Sequence, residues 1–307
     1  MTKHFLELQD ISPDKLVSYF TLADEYYDAS QGKESRDDLS GKTVANLFFE
    51  DSTRTANSFY LAGRRIGASV LDFTGAGSSL SKGETLLDTA RNIYAMGIDC
   101  FVVRHVSPGA PAMIADALDV PVINAGDGAH EHPTQGLLDV YTMYRELGAV
   151  EKFKGLTVAI VGDILHSRVA RSLCFALKTL GSRVILVGPR TLVNKHFEAF
   201  GVEISYSLDK VLAEVDVLYF LRLQRERMSS GLVSSLKEYK FLYGMTQNRM
   251  ALCKDDVKIM HPGPINRGVE IDPEVADGPN SLILKQVTCG MASRMAVLYS
   301  LIGEKSD

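Results

Sequence analysis

No apolar run in this 307-residue chain approaches the ~20 residues needed to cross a bilayer. The start carries Glu7 and Asp10 and no cationic segment ahead of a long apolar one, so it does not read as a signal peptide. Positive charge is not in excess: 33 Lys and Arg stand against 38 Asp and Glu, a net charge of −5. A chain with that balance has no surplus cation to displace the counterions of a nucleic-acid backbone. Neither nucleic acid nor membrane is therefore expected as a partner, although local Arg and Lys clusters can still bind small anions. Cysteine is sparse. Cys100, Cys174, Cys253 and Cys289 are widely spaced and form no C-x-x-C pair. That argues against a disulfide frame or a structural zinc and for buried free thiols in a reducing, cytoplasmic setting. Internal repeats and low-complexity tracts are missing too.

What is present is ordinary for a globular protein, with 46% apolar and 23% charged residues. At ~150 residues per domain the length predicts about two domains. A helix is expected at 13–30, after Ser12, with Leu16, Phe20, Ala23 and Tyr27 at helical spacing. Strands are expected at 43–49, 69–73, 98–103 and 121–124, with helices at 53–67, 84–97, 110–118 and 134–147. A second series follows the charged connector Glu151-Lys152-Phe153-Lys154-Gly155: strand 156–161, helix 166–180, strand 183–188, a helix after Thr191, helix 208–214, strand 215–221 and strand 257–260. The segment 288–301 reads as a terminal helix. Short apolar strands alternating with helices argue for parallel sheets covered on both faces. A single eight-fold barrel is the competing architecture, against which the turn-rich stretch 222–245 breaks the rhythm.

Several polar clusters stand at the carboxyl ends of these strands, where open α/β sheets bind ligands. Ser52-Thr53-Arg54-Thr55 opens the helix after the first strand. Its hydroxyls and guanidinium suit a phosphate at a helix N-terminus; a simple serine N-cap is the plainer alternative. Ser78-Ser79-Leu80-Ser81-Lys82-Gly83 is a polar loop whose Lys82 can reach an anion or stay solvated. Arg104-His105 ends the run Cys100-Phe101-Val102-Val103. His130-Glu131-His132-Pro133-Thr134-Gln135 lacks the i, i+4 histidine spacing of a helical zinc motif. A helix-start His132 donating to a substrate carbonyl, with Gln135 one turn along, fits better. Strand 156–161 runs into Gly162-Asp163 without the dinucleotide glycine fingerprint, and Arg168 follows in the next helix. Beyond strand 215–221, alternation puts Arg222 and Gln224 on one face, or in a plain solvated charge run. His261-Pro262-Gly263-Pro264 is a rigid turn offering backbone carbonyls. Anionic substrates are the common implication.

In this order the motifs Ser52-Thr53-Arg54-Thr55, Lys82-Gly83-Glu84-Thr85, Arg104-His105, His132-Pro133-Thr134-Gln135, Arg168, Arg222-Leu223-Gln224 and His261-Pro262-Gly263-Pro264 resemble the aspartate/ornithine carbamoyltransferase family, over essentially the whole chain. The likeness is to its aspartate-specific members; an ornithine enzyme would need acidic and small polar groups where Arg222-Leu223-Gln224 stands. A non-catalytic homologue would show gaps in the phosphate motif, and there are none. The resemblance implies an α/β chain of two domains, each a parallel sheet with helices on both faces, with the C-terminal helix packing back on the first. Residues 1–133 plus 288–307 would bind carbamoyl phosphate and 134–287 L-aspartate. It implies transfer of the carbamoyl group to the aspartate amine, giving N-carbamoyl-L-aspartate and phosphate in pyrimidine (UMP) biosynthesis, with no cofactor and no metal.

Roles follow from the same resemblance. Ser52, Thr53, Arg54 and Thr55 would cradle the phosphate; Thr55, Arg104 and His132 would bond the carbonyl oxygen; Gln135 with the turn Pro262-Gly263-Pro264 would hold the carbamoyl amide. Arg168, Arg222 and Gln224 would clamp aspartate. A homotrimer with shared active sites is implied, Ser79 and Lys82 coming from the neighbouring chain and Lys82 also meeting aspartate. The turn 263–267 is similar to that of bacterial members some of which pair with dihydroorotase, so association with that enzyme or with regulatory chains stays open.

Overall fold

The computed structural model describes residues 3–74, 84–224 and 231–303. The chain forms two compact units, Met1–Tyr141 with Thr288–Asp307, and Thr142–Val287.

The first unit opens with helices α1 (Pro13–Glu25) and α2 (Tyr27–Ser30). Then come β1 (Thr43–Phe48), α3 (Thr53–Arg65), β2 (Ser69–Thr74), α4 (Leu86–Tyr94), β3 (Cys100–His105), α5 (Ala110–Ala117), β4 (Val122–Asp127) and the start of α6 (Pro133–Leu147). The four strands make one parallel sheet in the order β2-β1-β3-β4. β1 and β3 are buried almost end to end, which is why they read as continuous rather than alternating apolar runs. Ala45, Leu47, Phe101, Val103 and Val122 pack with Ala90 and Ile93 of α4 and Ile114 of α5.

The second unit follows a 3-10 helix at Val150–Gly155. It contains β5 (Thr157–Val161), α7 (Arg168–Thr179), β6 (Arg183–Val187), a 3-10 helix (Lys195–Phe200), β7 (Glu203–Ser205), β8 (Val217–Phe220), α8 (Leu236–Tyr243), α9 (Gln247–Met250), β9 (Lys258–Met260) and α10 (Pro273–Ala276). Its five strands are again parallel, ordered β7-β6-β5-β8-β9. α11 (Ile283–Ile302) is the last element among the described residues, and its later turns belong to the first unit. There Tyr299 meets the Tyr26 ring edge-on at 5.8 Å between centroids and the Arg294 guanidinium lies 5.3 Å over Phe59. Two separate sheets exclude the barrel.

Some local expectations need correction. The segment 208–214 is not a helix. Leu208, Val211 and Leu212 are buried at helical spacing, but the backbone closes two successive tight turns, Val211 N–H to Leu208 O and Glu214 N–H to Val211 O. Short turns place the same three side chains inward without a continuous i to i−4 ladder. The helix expected after Thr191 is the 3-10 turn Lys195–Phe200. β7, α8, α9 and α10 were not anticipated, and α11 begins earlier than 288. All four cysteines are free, with Cys100, Cys174 and Cys289 buried. Burial pushes the Cys174 thiol up to about 12, so it is an inert thiol rather than a nucleophile.

In each sheet the strand order reverses once, beside β1 and β3 in the first unit and beside β5 and β8 in the second. Those reversals open a crevice at the carboxyl ends of the strands.

Candidate active site

The first crevice is built on the start of α3. Elsewhere, Ser12, Thr85, Ser167, Ser235 and Thr246 stand before α1, α4, α7, α8 and α9, and each accepts a hydrogen bond from the first turn of its helix. Ser52 holds the same position before α3 and makes no such bond, its ψ being 79°. No acidic residue lies in that first turn either. The orphan N–H groups and the positive end of the helix dipole thus receive neither a cap from Ser52 nor a first-turn carboxylate. Thr53 and Arg54 are exposed there and Thr55 is buried. The plainer N-cap alternative for Ser52 is set aside by its geometry.

Arg104 lies beside this point: it pairs in register with Phe48, the last residue of β1, and its carbonyl accepts from Phe49 N–H at 2.9 Å. Its guanidinium donates to Ala125 O and to Glu50 Oε1, both at 3.1 Å, which fixes its direction. The third contribution comes from β4. Asp127 collects the turn that follows, accepting from Asn124 Nδ2 (2.9 Å), Gly109 N–H (2.7 Å) and Glu131 N–H (3.1 Å). Gly128 has φ +49°, and a Cβ there would stand 2.5 Å from Pro108 Cδ, so only glycine fits. This turn delivers His132 buried at the start of α6, with its Nδ1 3.4 Å from Thr134 Oγ1. Gln135 follows one turn on, donating Nε2 to Asp139 Oδ1 at 3.0 Å. Glu131 spends its carboxylate on the Leu8 and Gln9 N–H groups, at 3.0 and 3.1 Å. Glu7, His130 and Glu131 do offer ligand atoms within 4.8 Å of one another. With Glu131 committed to two backbone donors and His130 turned to Asp127, the group serves the turn.

The second crevice joins the ends of β5, β8 and β9. After β5, Gly162 turns at φ +128° with Leu221 O and the Tyr239 hydroxyl both 3.0 Å from where a Cβ would be. Buried Asp163 then accepts from His166 Nδ1 (2.8 Å) and Gln224 N–H (3.4 Å). Arg168 opens α7 and is buried, while Ser167 caps that helix. After β8, Leu221 and Leu223 are buried while Arg222 and Gln224 are partly exposed, as the alternation predicted. Gln224 Nε2 donates to His166 O at 3.2 Å, tying the two strand ends together. After β9, His261 Nδ1 accepts from Gly263 N–H at 2.8 Å, and the Gly263–Pro264 bond is cis. Glu270, fully buried, accepts from Leu223 N–H (3.0 Å) and Asn266 N–H (2.7 Å) and so joins the 221–224 segment to the 263–266 turn. Burial pushes its carboxyl above the ordinary range, while those hydrogen bonds pull the other way.

Two family models match: "Aspartate/ornithine carbamoyltransferase, carbamoyl-P binding domain" over residues 3–145 and "Aspartate/ornithine carbamoyltransferase, Asp/Orn binding domain" over 154–301. The chain belongs to the aspartate/ornithine carbamoyltransferase family. Among family members, the aspartate carbamoyltransferase catalytic subunit of Granulibacter bethesdensis is 52% identical, covering 99% of this chain and 96% of that protein. The Rhodopirellula baltica catalytic subunit is 49% identical, over 99% and 92%. In structure the chain is similar to the Trypanosoma cruzi aspartate transcarbamoylase in complex with N-(phosphonacetyl)-L-aspartic acid, with TM-score 0.87, 33% identity and 98% and 96% coverage. The M. jannaschii catalytic subunit gives 0.84, 35%, and 98% of both chains.

The structure gathers Ser52, Thr53, Arg54, Thr55, Arg104, His132 and Gln135 at three strand ends of the first sheet. Arg168, Arg222, Gln224, Gly263 and Pro264 gather at three strand ends of the second. Ser79 and Lys82 lie outside the described residues. Sequence reasoning missed the carboxylates that orient these groups: Glu50, Asp139, Asp163 and Glu270. Only Asp139 carried a sequence signal, its i, i+4 spacing from Gln135 on a helix.

Proposed function

We propose that the chain is an aspartate carbamoyltransferase catalytic chain, converting carbamoyl phosphate and L-aspartate to N-carbamoyl-L-aspartate and phosphate for pyrimidine (UMP) synthesis. The first unit takes carbamoyl phosphate and the second L-aspartate. The observation that carries the reading is the start of α3, a strand-end helix whose serine leaves the N-terminus uncapped beside a guanidinium. Such a start is suited to a phosphate dianion.

The phosphate rests on Ser52, Thr53, Arg54 and Thr55. The carbonyl oxygen faces Thr55, Arg104 and His132, whose donors are set where negative charge grows as the amine attacks. Gln135 presents its amide oxygen to the carbamoyl NH₂, because its nitrogen is already committed to Asp139. The carbonyls around Gly263 and Pro264 accept from the same group. Arg168 and Arg222, with Gln224, hold the two carboxylates of aspartate, for which planar guanidiniums are suited. The amine forms a C–N bond to the carbonyl carbon, the C–O bond to phosphate breaks, and the departing phosphate takes the amine proton. No protein base, covalent intermediate, metal or cofactor is required; the catalytic work is positioning and electrostatic. Ser79 and Lys82 act from the neighbouring chain of a homotrimer, Lys82 reaching aspartate, and the enzyme works in the cytoplasm. Association with regulatory chains or dihydroorotase is a matter for the assembled trimer, outside this chain's chemistry.

The purified chain, given carbamoyl phosphate with aspartate, ornithine or neither, should form a carbamoylated amino acid with aspartate alone. Citrulline with ornithine and no product with aspartate would overturn the assignment.

A further inference from the structure

Asp139 is the carboxylate to which the Gln135 nitrogen is committed in the roles above. Asp139 is fully buried on α6, one turn beyond Gln135, and accepts from Gln135 Nε2 at 3.0 Å. Arg294 of α11 is almost fully buried and donates Nη1 to Gly290 O at 3.1 Å. Its guanidinium lies 5.3 Å over the ring of Phe59, a buried residue of α3. Burial pulls the Arg294 guanidinium down to about 10, and the negative charge of Asp139 works in the opposite direction. Gly290 makes the space: a Cβ there would stand 2.7 Å from Arg294 Nη1 and 3.1 Å from Leu138 Cδ2. A glycine inside a helix is destabilising relative to alanine, and here its missing side chain leaves the space beside the Arg294 guanidinium and Leu138.

A buried charge is weak support for stability, since apolar replacements often do as well. A carboxylate does, however, accept and never donate. An amide beside it has one orientation, nitrogen toward the carboxylate and oxygen away. We propose that Asp139 is a positioning residue for the reaction: it fixes the Gln135 amide with its oxygen facing the carbamoyl NH₂. The proposal rests on the reading of Gln135 as the partner of the carbamoyl amide. Its consequence is specificity for carbamoyl over acyl phosphates. Acetyl phosphate carries a methyl group in place of the NH₂ and gains nothing from an outward amide oxygen.

The test measures the dissociation constants of carbamoyl phosphate and acetyl phosphate by calorimetry, on the full assembled enzyme. Asp139→Asn keeps the shape but can donate, so the Gln135 amide is free to turn over. Loss of one neutral hydrogen bond to the ligand is worth about tenfold. Carbamoyl phosphate should therefore weaken about tenfold in Asp139→Asn while acetyl phosphate changes less than twofold. In a Gln135→Ala background, Asp139→Asn should add nothing further to either ligand. The double variant Asp139→Asn/Arg294→Met removes both charges together at similar volume and should show the same selective loss. Equal weakening of both phosphates, or an unchanged ratio in Asp139→Asn when Gln135→Ala does lower it, would overturn the proposal. Loss of the fold in both Asp139 variants would overturn it as well, by making Asp139 a structural group. If Gln135→Ala itself leaves the ratio unchanged, the reading of Gln135 fails instead, and the two failures are told apart.

Discussion

The two sheets present their crevices with helix starts of opposite design. α3 begins with Ser52, whose hydroxyl does not cap, and with Thr53 and Arg54 exposed to solvent. α7 begins with Ser167, which accepts from Ala170 N–H at 3.1 Å, and with Arg168 buried. The first start keeps its backbone donors and dipole available; the second uses up its cap and offers a guanidinium. A phosphate dianion spreads charge over several oxygens and is well matched by many converging N–H and O–H donors. A carboxylate has two oxygens in a plane and is matched by one bidentate guanidinium. In the proposed function the same local motif, a serine before a helix with an arginine in its first turn, would thus serve two anions by different means.

The sharpest break of this contrast is removal of the cation at the first start. Arg54→Ala should cut turnover by ~10²–10³-fold, as loss of a preorganised donor does. Thermal stability should hardly move, since Arg54 is exposed. Near wild-type turnover would show that the α3 start does not hold the phosphate. The same variant tests sharing between chains. Lys82→Ala and Arg54→Ala trimers should each be nearly inactive. Dissociated and reassociated in equal amounts, they should regain about a quarter of wild-type activity, because in a head-to-tail ring each site draws on two chains. Hybrids seen by native mass spectrometry that stay inactive would place Lys82 in its own chain's site.

A smaller effect is expected at the second sheet. Arg222→Ala should raise the aspartate KM at least ~10-fold, the worth of a charge-assisted hydrogen bond. Carbamoyl phosphate affinity, read by calorimetry, should stay within twofold. Equal weakening of both ligands would erase the division of labour between the two units.

How much of this was legible before the fold was known follows the same contrast. Strands such as β1, β3 and β5 were readable because burial on both faces leaves uninterrupted apolar runs. β7 was not, being three partly exposed residues at a sheet edge. Segment 208–214 misled because buried side chains three and four apart fit repeated turns as well as a helix. The polar clusters were found because arginine and histidine at strand ends carry chemistry in their identity. Their orienting carboxylates were not found, because Glu270 reaches Leu223 only through the fold. Nor did the sequence separate Ser52 from Ser167, since capping turns on backbone torsion, φ −160° and ψ 79° against φ −96° and ψ 104°, and not on residue type.

That last difference yields the smallest and most direct prediction. Ser167→Ala removes a real cap and should cost ~1 kcal/mol of stability, seen as a lower urea midpoint with an unchanged slope. Its effect on carbamoyl phosphate binding should be within twofold. Ser52→Ala removes no cap and should leave the urea midpoint where it was, while weakening carbamoyl phosphate by several-fold through loss of one hydroxyl donor. The pair therefore separates two uses of one residue type: stability without ligand affinity at α7, and ligand affinity without stability at α3. A stability loss in Ser52→Ala equal to that in Ser167→Ala, with ligand affinity intact, would make Ser52 an ordinary cap. The α3 start would then be no more specialised for phosphate than the other helix starts.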